Sequence, residues 1–366
     1  MRYRVRYRTL SNKQTSKRGF TTKKEAKLFA SSVDVSKARG EFVDPAKARA
    51  TVGEVGIEWL KTKEVHLKPS SYRPVEIGWR LRVKPTWGAT PLGKVEHEDV
   101  QSWIDAMVES GLSATVVLRD YGTLIGILDR AVREKRIPGH RARGVHLPEK
   151  KGKPRRYLSH KQVELLALGA GDNATFIYTL AYCGIRWGEA VGLRVQSVDL
   201  KRRRLNIEEN AVQVARKIIV GSTKNDEARS VPIPKFLAKR LKPIVTSRSP
   251  DLLVFGNGLD HSKTPNVYWG WFARAVKAAR LADPNFPEIT PHDLRHTAAS
   301  LAISSGANVK ALQRMLGHKS AAITLDVYAD LFDEDLDRVG DALDQARSGA
   351  IVSKVGPKKG KNPRKP

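Results

Sequence analysis

TPHDLRHTAASLAISSG, residues 290–306, carries polar groups where an ordinary core helix has none. Thr290 or Pro291 opens a helix, and His292 and Arg295, three apart, share a face near its positively polarised N-terminus, where an anion is welcome. His292 and His296, four apart, have a spacing that can hold a metal. No Glu joins them in the zinc-protease order, and Cys183 is the chain's single cysteine. A metal site is therefore set aside, and no cofactor is expected. His296 is read as a packed, structural residue.

Downstream lies NVKALQRMLGHKSAAITLDVYAD, residues 308–330. Val309, Leu312, Met315 and Leu316 mark a helix, Gly317 stops it, and His318 lies just beyond the stop. Tyr328 follows near the end of a short helix, where a tyrosine taken alone is an ordinary core or rim aromatic. Upstream, in CGIRWGEAVGL (183–193), Gly184 ends one helix and Glu189 stands in the first turn of the next. Arg186 is thereby held at the junction among apolar neighbours, a place where an arginine needs an anion. Glu189 as ion-pair partner would make Arg186 purely structural. In GSTKNDEARSVPIP (221–234), Lys224 falls on a turn between two strands, where a lysine by itself is simply solvated.

These segments share one predicted domain, residues 158–346. Ser159 and Gln162 form a capping box, and Thr175 to Tyr182 reads as a buried helix ending near Gly184. Arg204 to Ile207, Ala211 to Val214, Ile218 to Val220 and Arg229 to Pro232 are short and β-branched, which predicts one small antiparallel sheet. The rest is helical. The basic tail, residues 347–366, is predicted to be disordered.

A chain of 366 residues exceeds one core, and three domains are expected before the tail. In residues 1–50, period-two alternation places Arg2, Arg4, Arg6 and Arg8 on one strand face and Tyr3, Val5 and Tyr7 on the other. Thr22 and Glu25 then open a helix with Ala26, Phe29, Ala30 and Val33 as its stripe, so a small sheet packed on one helix is plausible. The arginines suit DNA; they also suit an edge strand protected from aggregation. Residues 51–147 read as a helical bundle, with Thr51 and Glu54 as its first cap and helices at Ser70 to Val83, Glu98 to Glu109 and Ser113 to Glu134. Pro85, Gly93, Gly111 and Pro138 mark the breaks. Lys61, Lys63, Lys68, Arg73, Arg80, Arg82 and Lys84 crowd its first half and can track phosphates, although solvation explains some of them. PEKKGKPRRY, residues 148–157, with Arg155 and Arg156, is an extended basic linker or a solubilising spacer. The fold class is thus mainly α with small antiparallel β-sheets, in several domains.

Lys and Arg number 66 against 38 Asp and Glu, a net charge of +28, so a polyanion is the natural partner. One cysteine excludes an intrachain disulfide and fits a reducing cytoplasm. No signal peptide and no run of about 18 apolar residues is present, so neither export nor a membrane is expected. No phosphate-binding glycine loop and no carboxylate cluster for two metals can be found.

Taken in order, GIRWGE, STK, HDLRH, LGH and TLDVYAD resemble the signature series of the tyrosine recombinases, the group of phage integrases and Xer-type resolvases, over about residues 155–335. The region from Thr51 resembles the family's core-type DNA-binding domain, and the Arg-rich N-terminus resembles the arm-binding domain of integrases. The resemblance implies a recombinase that integrates or excises a phage or mobile element through a 3′-phosphotyrosyl intermediate. It also leaves open a Xer-type resolvase, a topoisomerase, or a catalytically inactive DNA-binding relative. It implies that Arg186, Lys224, His292, Arg295 and His318 surround a scissile phosphate which Tyr328 attacks. Arg186 and Arg295 would clamp its oxygens, His318 would add a hydrogen bond, His292 would move a proton, and Lys224 would protonate the 5′ oxygen. Glu189 would orient Arg186. Neighbouring cations are expected to shift the Tyr328 phenol towards phenolate. The implied partners are double-stranded DNA attachment sites, three further copies in a tetramer, a host DNA-bending factor and an excisionase, in a bacterial cytoplasm close to the nucleoid. Residues 336–346 would dock on a neighbouring copy or on their own domain.

Overall fold

A computed structural model of the chain describes residues 2–9, 12, 14–38, 42–43, 49–150, 152, 154–215, 217–222, 228–266, 268–328, 340–341 and 343–348. It divides into two compact units, Met1–Lys153 and Pro154–Pro366, and the division falls inside the stretch read as a linker. Lys224, Val339, Ala342 and the tail from residue 349 lie outside the described residues.

The first unit opens with β1 (Tyr3–Arg8), paired antiparallel with β2 (Gln14–Phe20), and α1 (Lys23–Ala38). Alternation dictates this hairpin. Arg4, Arg6 and Arg8 are exposed, whereas Val5 and Tyr7 are half-buried towards the helix. The ring of Tyr7 meets Phe29 edge-on at 5.7 Å, and Phe20 meets Phe29 at 5.2 Å. The Glu25 amide donates to the Thr22 hydroxyl at 3.1 Å, closing the expected cap.

The rest of this unit is a helical bundle: α2 (Val52–His66), α3 (Pro69–Gly78), α4 (Lys84–Trp87), α5 (His97–Glu109) and α6 (Ala114–Arg133). Val52, Val55, Val83, Leu124, Ile127 and Leu128 are completely buried between the helices. Thr51 and Glu54 cap α2 reciprocally. The predicted break at Pro85 does not occur. A π-helical turn, Trp79–Val83, joins α3 to α4, and Pro85 falls in the first turn of α4. The wide π turn, in which the Lys84 amide bonds to the Trp79 carbonyl, carries the helix through to the proline.

The second unit holds α7 (His160–Gly169), α8 (Ala174–Cys183), α9 (Trp187–Val191), β3 (Val198–Asp199), β4 (Arg204–Ile207), β5 (Glu209–Val214), β6 (Lys217–Ser222), β7 (Arg229–Pro232), α10 (Lys235–Thr246), α11 (Trp271–Ala282), α12 (Asp293–Ser304), α13 (Val309–Leu316) and α14 (Ala321–Tyr328). The one sheet expected is two. β3, β4 and β7 form an antiparallel sheet in that order, while β5 and β6 pair only with each other. Val198 and Asp199, which the pattern did not mark as strand, supply the third strand of the first sheet. The core packs α8 against α7, α10 and α12 and α11 against α7, and it includes Phe176, Ile177, Leu205, Val231, Phe272 and Leu294. A satellite cluster of Ala299, Ile303, Leu312, Leu316 and Tyr328 lies under α12 to α14. The first residues of α12 also differ from expectation. Thr290 donates through its amide and its hydroxyl to the Asp293 carboxylate, both at 2.7 Å, so Pro291 and His292 form a turn and the helix starts at Asp293. Among the described residues no helix is long and apolar enough to cross a membrane.

Candidate active site

Two left-handed glycines end the helices around which the chemistry-bearing residues meet. α8 ends at Gly184 with φ +63°, and α13 ends at Gly317 with φ +66°, values that a side chain rarely adopts. A Cβ at Gly184 would stand 2.8 Å from Leu316, so the two helix ends also approach as closely as glycine allows.

Arg186 follows the first of these ends and occupies the N-cap of α9. Its amide donates to Glu189 Oε2 and its Nη1 to Oε1, both at 2.8 Å, and its Nη2 donates to the Gly317 carbonyl at 3.4 Å. About a quarter of its side chain remains exposed, at 25%. Glu189 has no exposed side-chain surface and takes two further bonds from Arg229 of β7, at 2.9 and 2.6 Å. Arg229 Nε in turn donates to the Met315 carbonyl at 3.1 Å. One carboxylate therefore binds α9, β7 and the end of α13 together. Burial alone would raise the Glu189 pKa, but the hydrogen bonds and charge of Arg229, then those of Arg186, outweigh it and hold it at about 2.

Arg295 is buried in the first turn of α12. Its Nη1 donates to the Gly184 carbonyl and its Nη2 to the Leu316 carbonyl, each at 2.5 Å. These are the negative ends of α8 and α13, so helix dipoles rather than a carboxylate hold the guanidinium. Burial, then the charge of Arg186, draws its pKa down to about 9.

His318 stands just past Gly317. Its amide donates to the Gln313 carbonyl at 3.1 Å, and its Nδ1 meets the Thr324 hydroxyl at 3.0 Å. Its ring lies parallel to that of Tyr328, centroids 6.5 Å apart. Burial and then Arg295 and Arg186 push its pKa down to about 4. His292 stands at the N-cap of α12 with part of its surface exposed, its pKa lowered by partial burial of the ring and then by Arg295.

Tyr328 is the last residue of α14 and is 2% exposed. Its hydroxyl lies 2.9 Å from His296 Nδ1. The expected shift towards phenolate is reversed. Burial lifts the phenol to about 12, and the charge of Arg295 offsets this only in part.

The structure thus brings Arg186, Glu189, His292, Arg295, His318 and Tyr328 to one region of the second unit. Arg155, exposed, extends its charge to His296 and Tyr328. Arg156 donates to the Glu288 carbonyl at 2.5 Å. The remaining expected DNA contacts are in the first unit. Arg2, Arg4, Arg6, Arg8 and Lys61 are exposed, and Lys63 Nζ sits 5.0 Å from the centre of the Trp59 ring. Arg73 and Arg80 share the Glu76 carboxylate at 2.8 and 2.9 Å.

Sequence reasoning gave two residues no part in the site, naming Arg229 only as the start of a strand and reading His296 as packed and structural. Arg229 shares strand parity with buried Val231, and that was its signal. His296 lies one helical turn beyond His292, a spacing weighed above only for a metal. Its hydroxyl partner comes from α14, thirty-two residues away.

Comparison with known proteins gives three findings. The phage integrase family pattern matches residues 156–335, and an arm DNA-binding domain pattern matches residues 1–36. The ICEBs1 integrase of Bacillus subtilis is 25% identical over 301 residues, spanning 78% of this chain and 80% of that protein. Among solved structures, the Tn1549 transposon integrase in complex with a circular intermediate DNA superposes with a TM-score of 0.67 at 20% identity, over 79% of this chain and 99% of that one. A lambda integrase tetramer bound to a Holliday junction gives 0.57 at 14% identity, over 86% and 93%.

Proposed function

The chain belongs to the phage integrase family, and on that footing we propose that it is a site-specific DNA recombinase that uses Tyr328 to cut and rejoin strands of a mobile element and its host. The observation that carries the reading is the meeting of Arg186, Arg295 and His318 at the helix ends beside a tyrosine hydroxyl.

The residues divide the work as the chemistry requires. Charge builds on the nonbridging oxygens of a phosphodiester under attack, and Arg186 and Arg295 accept it without losing their own protons. His318 adds a hydrogen bond. The Tyr328 oxygen displaces the 5′ oxygen and leaves a 3′-phosphotyrosine, which a free 5′ hydroxyl of another strand reverses, so the bond energy is kept. Lys224 is assigned the proton for the departing 5′ oxygen. Glu189 positions Arg186.

Residues 1–50 are assigned to arm sites, 51–147 and the 148–157 linker to the core site, and 158–346 to catalysis. The arm-domain match and the exposed Arg4, Arg6 and Arg8 favour an integrase over a Xer-type resolvase. The lambda integrase tetramer supports a tetramer on two duplexes, assembled in the bacterial cytoplasm at the nucleoid. A host DNA-bending factor and an excisionase complete the proposed partners.

Incubation with a nicked duplex that traps the covalent adduct tests the reading. An adduct that disappears in Tyr328→Phe supports it, and an adduct that persists there refutes it. Removing residues 1–50 should abolish recombination of a long site while sparing a core site; loss of neither would favour the resolvase.

A further inference from the structure

The bond between His296 Nδ1 and the Tyr328 hydroxyl, 2.9 Å long, has no part in the scheme above. A buried tyrosine needs a partner for its O–H, and any acceptor would satisfy it. An imidazole is a particular choice, because it is an acceptor that can also keep the proton. His292 is placed differently, at the exposed start of α12, and meets His296 through an edge-to-face ring contact at 5.1 Å.

We propose that His296 is a catalytic residue, whose Nδ1 orients the Tyr328 O–H and takes its proton as the oxygen–phosphorus bond forms. The inference rests on Tyr328 being the nucleophile, and it moves the proton-accepting role from His292 to His296. In the forward step a lone pair of the phenol oxygen attacks phosphorus, the phenol proton passes to Nδ1, and the 5′ oxygen leaves with a proton from the acid, assigned to Lys224. In rejoining, the incoming 5′ hydroxyl attacks phosphorus and gives its proton back to the acid, assigned to Lys224, while His296 returns its proton to the departing phenol oxygen.

The surroundings fit an acceptor. His292, Asp293 and Arg295 face His296 from α12, Arg155 from the segment before α7, and Tyr328 and His318 from the other side. Burial and then the charge of His292 lower the imidazole pKa to about 4, so the ring is neutral and, with its proton on Nε2, offers a lone pair to the phenol. The phenol at about 12 keeps its proton in the free chain. Transfer is therefore timed to attack, when the phosphate brings negative charge beside the imidazole and esterification removes the basic phenolate.

The test uses the full chain and nicked duplexes selected by binding to it from a random pool. His296→Ala should slow adduct formation by about 10²-fold or more at neutral pH, the usual size of a lost general base, and the deficit should shrink as rising pH ionises the phenol. His296→Asn keeps an acceptor but no base, and should stay slow with the same pH dependence while binding DNA normally. A bridging 5′-phosphorothiolate, whose thiolate leaves without a proton, should rescue Lys224→Ala and fail to rescue His296→Ala. A wild-type rate and pH profile in His296→Ala, full recovery in His296→Asn, or rescue of His296→Ala by the phosphorothiolate would each overturn the proposal. Failure of the nucleophile reading looks different: the adduct would survive Tyr328→Phe, and both would fall.

Discussion

Arg229→Ala removes the residue that binds Glu189 most closely, and the cost follows from the geometry. The Glu189 carboxyl is held at about 2 against an ordinary 4.5, which corresponds to about 3 kcal/mol of native-state stabilisation at neutral pH. Burial opposes this shift, so Arg186 alone must offset it once Arg229 is gone. Leaving one partner of a buried pair behind costs about 3–5 kcal/mol, and the lost bond to the Met315 carbonyl adds about 1 kcal/mol more. The sign with pH is fixed. In the wild type a depressed carboxylate contributes stability above its unfolded pKa and loses it as pH falls from about 4.5 through about 2. In the variant, burial raises the Glu189 pKa, so protonation relieves the native state as pH falls. The gap between the two proteins should therefore be widest at neutral pH and close in acid. Urea unfolding across this range measures it, with hydrogen exchange of α9 and β7 amides identifying the transition of the second unit. A gap below about 0.5 kcal/mol at neutral pH, or one that widens in acid, would refute the reasoning.

Other outcomes follow from single contacts. Arg295→Lys cannot reach the Gly184 and Leu316 carbonyls with one ammonium and still face a phosphate; adduct formation should fall by about 10²-fold or more, read in single-turnover cleavage. Gly317→Ala should destabilise the second unit by about 1–2 kcal/mol and slow cleavage, because φ is +66° and the new methyl would lie 2.9 Å from Arg229 Cδ, pushing on both Glu189 and His318. Thr51→Ala should cost about 1 kcal/mol in the first unit through its lost cap, measured by unfolding, while the cleavage rate on bound DNA stays at the wild-type value.

Legibility in the sequence tracked how local each cause is. Caps at Thr22, Thr51 and Ser159 were readable because each is made within four residues. The glycine stops at Gly184 and Gly317 were readable for the same reason. Pro85 was misread, because the π turn just before it, Trp79–Val83, lets the helix run on into α4 where an unbroken α-helix would have stopped. The split into two sheets was hidden, since β3 is two residues long and strand order is a property of distant pairing. Arg186 with Glu189 was legible as a pair, but Arg229, forty residues on, entered only through folding. The Tyr328 phenol was expected to be acidified because cations in the sequence were counted, while the depth of its burial could not be.

That last reversal shows how the site stores its readiness. Three guanidinium groups, those of Arg186, Arg229 and Arg295, are hydrogen-bonded around the ends of α8 and α13, and among the described residues Glu189 is the one carboxylate bonded among them. Among the described residues, two of these positive charges have no bonded carboxylate of their own. They add to burial, the larger cause, in lowering the neighbouring imidazoles: Arg295 and Arg186 at His318, and Arg295 at His292. A phosphodiester carries one negative charge, and a second develops on its oxygens during attack. The excess of two guanidinium groups therefore matches the charge of the reacting state better than that of the bound one. Stabilisation that grows between binding and attack is what accelerates a reaction rather than merely tightening a complex. Tyr328, the proposed nucleophile, is meanwhile neutral, buried and bonded to His296, so on this reading the tyrosine is guarded through protonation and the site's charge is kept for the phosphate.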